Sequence, residues 1–239
     1  MSLTQTLGIT LPILQAPMAG AQGSELAIAV ARAGGLGALP CAMLAPSAMA
    51  EELAAFRAAT SAPVNVNFFC HAPPAPDAAA QTRWHEALAP YYAEFGLDIG
   101  AVPAGPGRRP FDHEACEAIA PFRPEVVSFH FGLPEAALLE RVKAWGARVL
   151  ASATTVAEAE WLAAHGADAI IVQGLEAGGH RGMFLAEAIT TQVGTFALLP
   201  QVREAVDLPL IAAGGIADAR GVAAARALGA EAVQVGTAF

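Results

Sequence analysis

A histidine set among glycines ends the stretch VQGLEAGGHRG, residues 172–182. It follows an apolar run, Ala169 to Val172, and so stands where a buried parallel strand would stop. An imidazole is the side chain best poised near neutral pH to take a proton from carbon or to steady an anion. His180 is therefore the candidate catalytic residue. Gly178 and Gly179 beside it would let the backbone come close to a flat ligand. Further on, AAGGI (212–216) and VQVGT (233–237) offer exposed backbone N–H groups of the kind that hold phosphate, after the seventh and eighth strands where barrels often carry such a site. Gly214 and Gly215 equally suit a tight turn between strand and helix.

Those residues need a frame. Eight apolar runs bounded by Gly or Pro read as buried strands: PILQAPMA (12–19), GLGALP (35–40), VNVNFF (64–69), VVSFHFG (126–132), RVLASAT (148–154), AIIVQG (169–174), PLIAAGGI (209–216) and AVQVGTAF (232–239). Ala/Glu/Arg-rich helical segments lie between them, several ending in a Gly suited to a left-handed cap. ARAGGLGAL, KAWGARVLA, AAHGADAIIV and RALGAEAVQV repeat one joint, helix end to strand. The pattern predicts an α/β fold, a (β/α)8 TIM barrel in one domain over 1–239. The span from Cys70 to Pro124 is too long for one helix and is expected to hold two helices and an irregular excursion. Phe239 falls inside or just after the eighth strand, so the barrel is expected to be truncated there, as a piece of a longer protein whose C-terminal part is missing.

Composition narrows the chemistry. A net charge of -9 and no basic run longer than Arg108-Arg109 disfavour nucleic acid, while a local N–H site could still hold a small anionic substrate. The three cysteines, Cys41, Cys70 and Cys116, show no paired spacing, which fits a reducing cytoplasm; no membrane span and no signal peptide are expected. Lys143, the only lysine, precedes strand five rather than ending a strand, which removes Schiff-base and pyridoxal-phosphate chemistry. The six histidines are scattered without a metal-ligand spacing, so no metal site is expected. What remains is a cofactor that carries its own redox chemistry.

Taken in order, QAPMAG, VNVNFF, SFHFGLP, VQGLEAGGHRG, AAGGIADARG and VQVGTAF resemble the nitronate monooxygenase family, formerly called 2-nitropropane dioxygenases, along the whole chain. The resemblance implies an FMN-containing barrel that oxidises alkyl nitronates, such as propionate 3-nitronate, with O2 to a carbonyl compound and nitrite, without consuming NAD(P)H. It implies that the backbone of Pro17, Met18 and Ala19 lies against the flavin ring, that Asn67 and Gln173 hydrogen-bond to it, and that Gly178 approaches it with Gly179 at its side. Gly215, next to Gly214, and the run Gln234, Val235, Gly236 and Thr237 would cradle the phosphate, and His180 would match the family's catalytic histidine.

Two readings stay open for His130: substrate contact at the barrel mouth, or a satisfied hydrogen bond in the core. Arg181 is either a surface residue or an aid to an anionic substrate. Cys41 and Cys70 read as small core residues near strand ends, and His71, His85, His113 and His165 are given no role. An FMN-dependent NAD(P)H:quinone or enoyl-thioester reductase is the alternative enzyme. A non-catalytic flavin or phosphate-binding barrel is the third reading.

Overall fold

The computed structural model describes residues 1–73, 75–101 and 109–239; Pro74 and 102–108, within the expected excursion, lie outside the described residues. Eight strands are found where eight apolar runs predict them: β1 (Ile13–Gln15), β2 (Gly37–Pro40), β3 (Val64–Phe69), β4 (Val126–His130), β5 (Arg148–Ala153), β6 (Ala169–Gln173), β7 (Leu210–Ala213) and β8 (Ala232–Val235). All pair in parallel, in the ring order β1-β8-β7-β6-β5-β4-β3-β2. A bridge between Leu14 and Leu36 joins the two ends. The Gln15 and Leu36 N–H groups donate across this seam to the Leu36 and Ile13 carbonyls at 2.9 and 3.0 Å.

The α-helices run in chain order α1 (Leu3–Leu7), α2 (Ser24–Arg32), α3 (Pro46–Ala59), α4 (Ala78–Glu94), α5 (His113–Ile119), α6 (Ala136–Ala144), α7 (Val156–Ala164), α8 (Thr195–Ala205) and α9 (Ala219–Ala227). Successive strand residues point to opposite faces. The outward set, including Val66, Phe68, Val127 and Val149 on one side and Ile170, Val172, Leu210 and Val233 on the other, packs into the two clusters beneath the helices. The inward set gathers Leu14, Leu36, Val126, Leu150, Ile171, Ile211 and Ala232 into a third buried cluster. Leu3, Leu7 and Ile9 complete that cluster from the side where the strands begin, making it an apolar floor. Each such side chain taken wholly out of water stabilises by about 1.5–3 kcal/mol. The floor therefore supplies stability and leaves the opposite end of the strands for chemistry.

The strands stop short of their apolar runs where the backbone turns left-handed. Phe131 has φ +68° and Gly132 +92° after β4, and Gly214 has +120° and Gly215 +70° after β7. An extended chain cannot continue through such angles, so these residues become the loops of the mouth. Residues 72–108 cluster as a second, smaller unit. Within it α4 is capped by Asp77, whose carboxylate accepts the Ala80 N–H at 2.8 Å, and none of its described residues is buried.

Candidate active site at the barrel mouth

Above the apolar floor, the inward positions turn polar. Asn65 and Asn67 on β3, Ser128 and His130 on β4, Ser152 on β5, Gln173 on β6 and Gln234 on β8 share the alternation of the floor residues. Asn67 Nδ2 donates to the Ser128 carbonyl and hydroxyl at 3.2 and 3.0 Å. Both amide atoms of Asn65, which is 1% exposed, and Oε1 of Gln234 are buried with no partner among the described residues. A polar atom left so costs about 1–3 kcal/mol, an expense that a hydrogen-bonding guest removes.

The loop after β6 is tied down atom by atom. The His180 carbonyl accepts two hydrogen bonds, from Gln173 Nε2 at 2.9 Å and His130 Nε2 at 3.1 Å. Gln173 Oε1 in turn accepts the Gly182 N–H at 2.7 Å, so both ends of that amide hold the loop. Burial, first of all, pushes the His130 imidazole down to about 4, and it is therefore neutral at ordinary pH. With Nδ1 at 3.0 Å from the Ser152 hydroxyl, both ring nitrogens of His130 are engaged in hydrogen bonds at the mouth. The Arg181 guanidinium donates to the carbonyls of Gly174, Leu175 and Ala177 at 2.6, 3.0 and 3.1 Å. Its charge thus staples its own loop.

Two carboxylates, one buried and one exposed, finish the job, and neither is singled out in the sequence. Glu158, 0% exposed in the first turn of α7, accepts the N–H and hydroxyl of Thr154 at 2.7 Å with one oxygen. With the other it accepts the N–H groups of Phe184 and Leu185 at 2.7 and 3.2 Å. Glu176 takes the N–H and hydroxyl of Thr195 at the start of α8, at 2.7 and 2.9 Å. The signal for Glu158 was present as the T-x-x-E pattern of Thr155 to Glu158, of which the fold forms the half where the Thr155 hydroxyl accepts the Glu158 N–H at 3.2 Å. Its long reach to residue 184 was not, because that contact is tertiary.

His180 itself is exposed, and its ring meets Phe69 and Phe131 edge-on, with centroids 5.2 and 6.0 Å away. Phe131 also packs on Phe69, His71 and His130 at 5.1, 6.1 and 4.6 Å, at the centre of an aromatic nest. Its left-handed backbone costs on the order of 1 kcal/mol or more, strain of a kind that clusters at functional sites. His71, given no role from the sequence, belongs to this nest, and its Nδ1 is buried without a partner among the described residues. His85 meets Gln81, His113 pairs with Glu135, and His165 stacks on Trp161 at 3.9 Å.

The glycines show how closely four strand ends approach. A methyl group on Gly178 would lie 3.4 Å from Thr237 Oγ1, and one on Gly236 would lie 3.3 Å from Ala16 Cβ and 3.7 Å from Met18 Sδ. On Gly214 it would meet Thr195 Oγ1 at 2.7 Å and the Ala177 nitrogen at 2.8 Å, and on Gly215 the Glu176 Cβ at 3.3 Å. Gly179, with φ +74°, faces nothing within 4 Å. Met18, flanked by Pro17 and Ala19, thus comes beside Gly236. Gly178 comes beside Thr237, and Gly214 comes beneath the β6 loop. Val235 ends β8 opposite Gln15, and its carbonyl accepts the Ala16 N–H at 2.7 Å. Asn67 stands apart from this group, on β3 beside Ser128. Gln234 sends its side chain inward, so only its backbone belongs with the glycine rim.

Burial pushes the Cys41 thiol up to about 12 and raises Cys70 as well, so both are inert thiols. Among the described residues no group of three or more His, Cys, Asp or Glu is placed to hold a metal ion, and no helix is long and apolar enough to cross a membrane.

Fold and mouth together define a parallel (β/α)8 barrel with a glycine rim and one exposed histidine over a polar interior. The family model for nitronate monooxygenase matches residues 1–239, and the chain belongs to that family. It is 45% identical to a nitronate monooxygenase of Paraburkholderia phytofirmans, covering 100% of this chain and 65% of that protein. It is 43% identical to a nitronate monooxygenase of Pseudomonas aeruginosa, covering 99% and 68%. Among solved structures it superposes on nitroalkane oxidase from Streptomyces ansochromogenes with a TM-score of 0.88 at 40% identity, covering 99% of this chain and 67% of that one. FabK from Thermotoga maritima follows at 0.74 and 32%, covering 100% and 62%. The chain thus spans about two thirds of the length of the relatives it matches.

Proposed function

We propose that this protein is an FMN-dependent nitronate monooxygenase that oxidises alkyl nitronates, such as propionate 3-nitronate, with O2 to a carbonyl compound and nitrite. The observation that carries the reading is the exposed His180 ring against Phe69 and Phe131, on a loop whose backbone is fixed by two hydrogen bonds to the His180 carbonyl. The relatives' names point the same way.

The mouth fits FMN. Gly178 and Gly236 have little but Thr237, Ala16 and Met18 near them, which leaves a flat ring room against the backbone of Pro17, Met18 and Ala19, with Gly179 beside it. Asn67 Oδ1 would face its polar edge, Gln173 would reach it only by sharing the amide that now holds the loop, and the orphaned Gln234 Oε1 is in want of such a partner. The phosphate would rest on backbone N–H groups of Gly214, Gly215 and the Gln234–Thr237 run. The α9 N-terminus is less suited to it, because the Asp218 carboxylate already accepts the Arg220 and Gly221 N–H groups there at 3.0 and 2.9 Å. When bound, FMN supplies the electron acceptance and the reaction with O2.

The chain's own contribution is to bind and orient an anion. In a chain of net charge -9, the His180 imidazole can donate to a nitronate oxygen or take a proton from the carbon beside a nitro group. The Phe69 and Phe131 rings keep water from one side of it. His130, neutral and occupied on both nitrogens, serves the loop rather than the substrate. All three cysteines are free, in keeping with a reducing cytoplasm, and the barrel acts as one catalytic domain.

The test uses the purified full-length natural protein. Flavin bands that co-elute with it through gel filtration, with nitrite formed from propionate 3-nitronate and no NADH consumed, are expected. NADH oxidation with a quinone or enoyl thioester, and no nitrite, would make it a reductase instead. Replacing Gly215 by Val, at φ +70° and 3.3 Å from Glu176, should strip the flavin on the same column, and full retention would refute the phosphate assignment.

A further inference from the structure

We propose that Ser152 is a positioning residue for His180, acting by anchoring the His130 ring at Nδ1 so that its Nε2–H stays aimed at the His180 carbonyl. The inference rests on the reading of His180 as catalytic and adds to it the part that aims the residue.

The argument begins with what a carbonyl can do. It has no proton, so His130 Nε2, at 3.1 Å from the His180 oxygen, must carry the hydrogen. A neutral imidazole has one N–H only, so Nδ1 is bare and can only accept. The Ser152 hydroxyl, 3.0 Å away and on a residue that is 5% exposed, supplies that proton. The direction of both hydrogen bonds follows: Ser152 to His130, His130 to His180. Were the tautomer reversed, Nδ1–H would still find the hydroxyl, but a bare Nε2 would face a carbonyl oxygen, two acceptors in contact, so the carbonyl sets the tautomer and the hydroxyl anchors the ring.

The ring cannot escape by sliding. A methyl group on Gly182 would lie 2.5 Å from His130 Cε1 and 2.9 Å from Nδ1, so the loop backbone is pressed against the imidazole. Gln173 grips the same loop on either side, at the His180 carbonyl and the Gly182 N–H. Glu158 fixes its far end at Phe184 and Leu185. His180 is thus the exposed side chain on a segment whose backbone is held from β4, β6 and α7, and Ser152 on β5 reaches it through His130.

The experiment reads the tautomer and the rate separately. In protein labelled with 15N-histidine, assigned through His130→Gln, wild-type His130 should show a protonated Nε2 and an unprotonated Nδ1; a protonated Nδ1 would overturn the proposal. Ser152→Ala should leave Nε2 protonated but shift the Nδ1 15N resonance as its hydrogen bond is lost, and lower kcat on propionate 3-nitronate on the order of tenfold, with KM and flavin content unchanged. Ser152→Thr, which keeps the hydroxyl, should restore kcat. An unaltered kcat in Ser152→Ala, or an equal loss in Ala and Thr variants that fold and bind flavin, would refute it. The tautomer is read without turnover, so full activity in His180→Asn would sink the catalytic reading of His180 alone and leave the hydrogen-bond assignment to stand or fall by itself.

Discussion

The floor and the mouth of this barrel are built from the same strands and the same alternation, yet obey opposite rules. The floor is aliphatic, with Leu14, Leu36, Val126 and Leu150 all 0% exposed. Where the same strands end stand a left-handed Phe131 and glycines such as Gly214, pressed against neighbouring residues. A fold that sought stability alone would not place these costs together. Their concentration at one end teaches that stability is gathered where the strands begin and spent where they finish.

That contrast can be broken or sharpened by four substitutions, beginning with the largest effect. His180→Asn, at the exposed mouth, should cost about 10²- to 10⁴-fold in kcat while the melting temperature and flavin spectrum stay near those of the parent. Steady-state nitrite release checks the rate, and an unchanged rate would end its catalytic role. Leu150→Ala, on the floor, should do the reverse, removing about 2–5 kcal/mol of stability while the flavin-loaded fraction keeps its KM. Denaturant melts measure it; a loss well under 1 kcal/mol would mean that the floor is not close-packed.

The third test uses pH. His130 is held at about 4 in the folded protein, chiefly by burial, against an ordinary value of 6.5. The charges of His180 and Arg181 lower it further, and the His180 carbonyl and Glu158 pull it back up. As pH falls below 6.5 the unfolded chain takes the proton first, so stability from this residue is complete above that value and declines down to about 4, by at most about 3 kcal/mol. The His130→Gln variant should flatten this part of the pH–stability curve, and an identical slope in both proteins would count against the assignment. Smallest is Gly182→Ala, whose methyl would press on the His130 ring; it should cost about 1–3 kcal/mol, more than Gly146→Ala, where φ is +92° but nothing lies within 4 Å. Equal losses in the two would show that the loop yields.

The frame was legible to a large degree. Eight apolar runs located eight strands because a parallel strand covered on both faces must be apolar throughout, and that pattern is local. Their ends were overshot, since Phe131, Gly214 and Gly215 continue the apolar or small-residue run while their φ angles end the strand. The rim residues Met18, Gly178, Gly236 and Thr237 were picked out separately and are brought into contact by the fold. Arg181 and Gln173 were picked out too, but the structure turns their hydrogen bonds onto their own loop. Ser152 and Glu158 escaped notice, because a serine inside a strand and a glutamate in a first helical turn are ordinary until their partners, thirty residues away or less, arrive.

What the amino-acid order determined by itself was which segments are strands, which ends carry glycine, and that one histidine lies among them, for these depend on residue type and period. Only the tertiary structure decided who holds whom. The His180 carbonyl meets His130 and Gln173, and Glu158 meets residues 184 and 185, because parallel pairing sets β4, β5 and β6 side by side. A hydrogen bond is made over about 3 Å of space and not over a number of residues, so no spacing along the chain could have announced it.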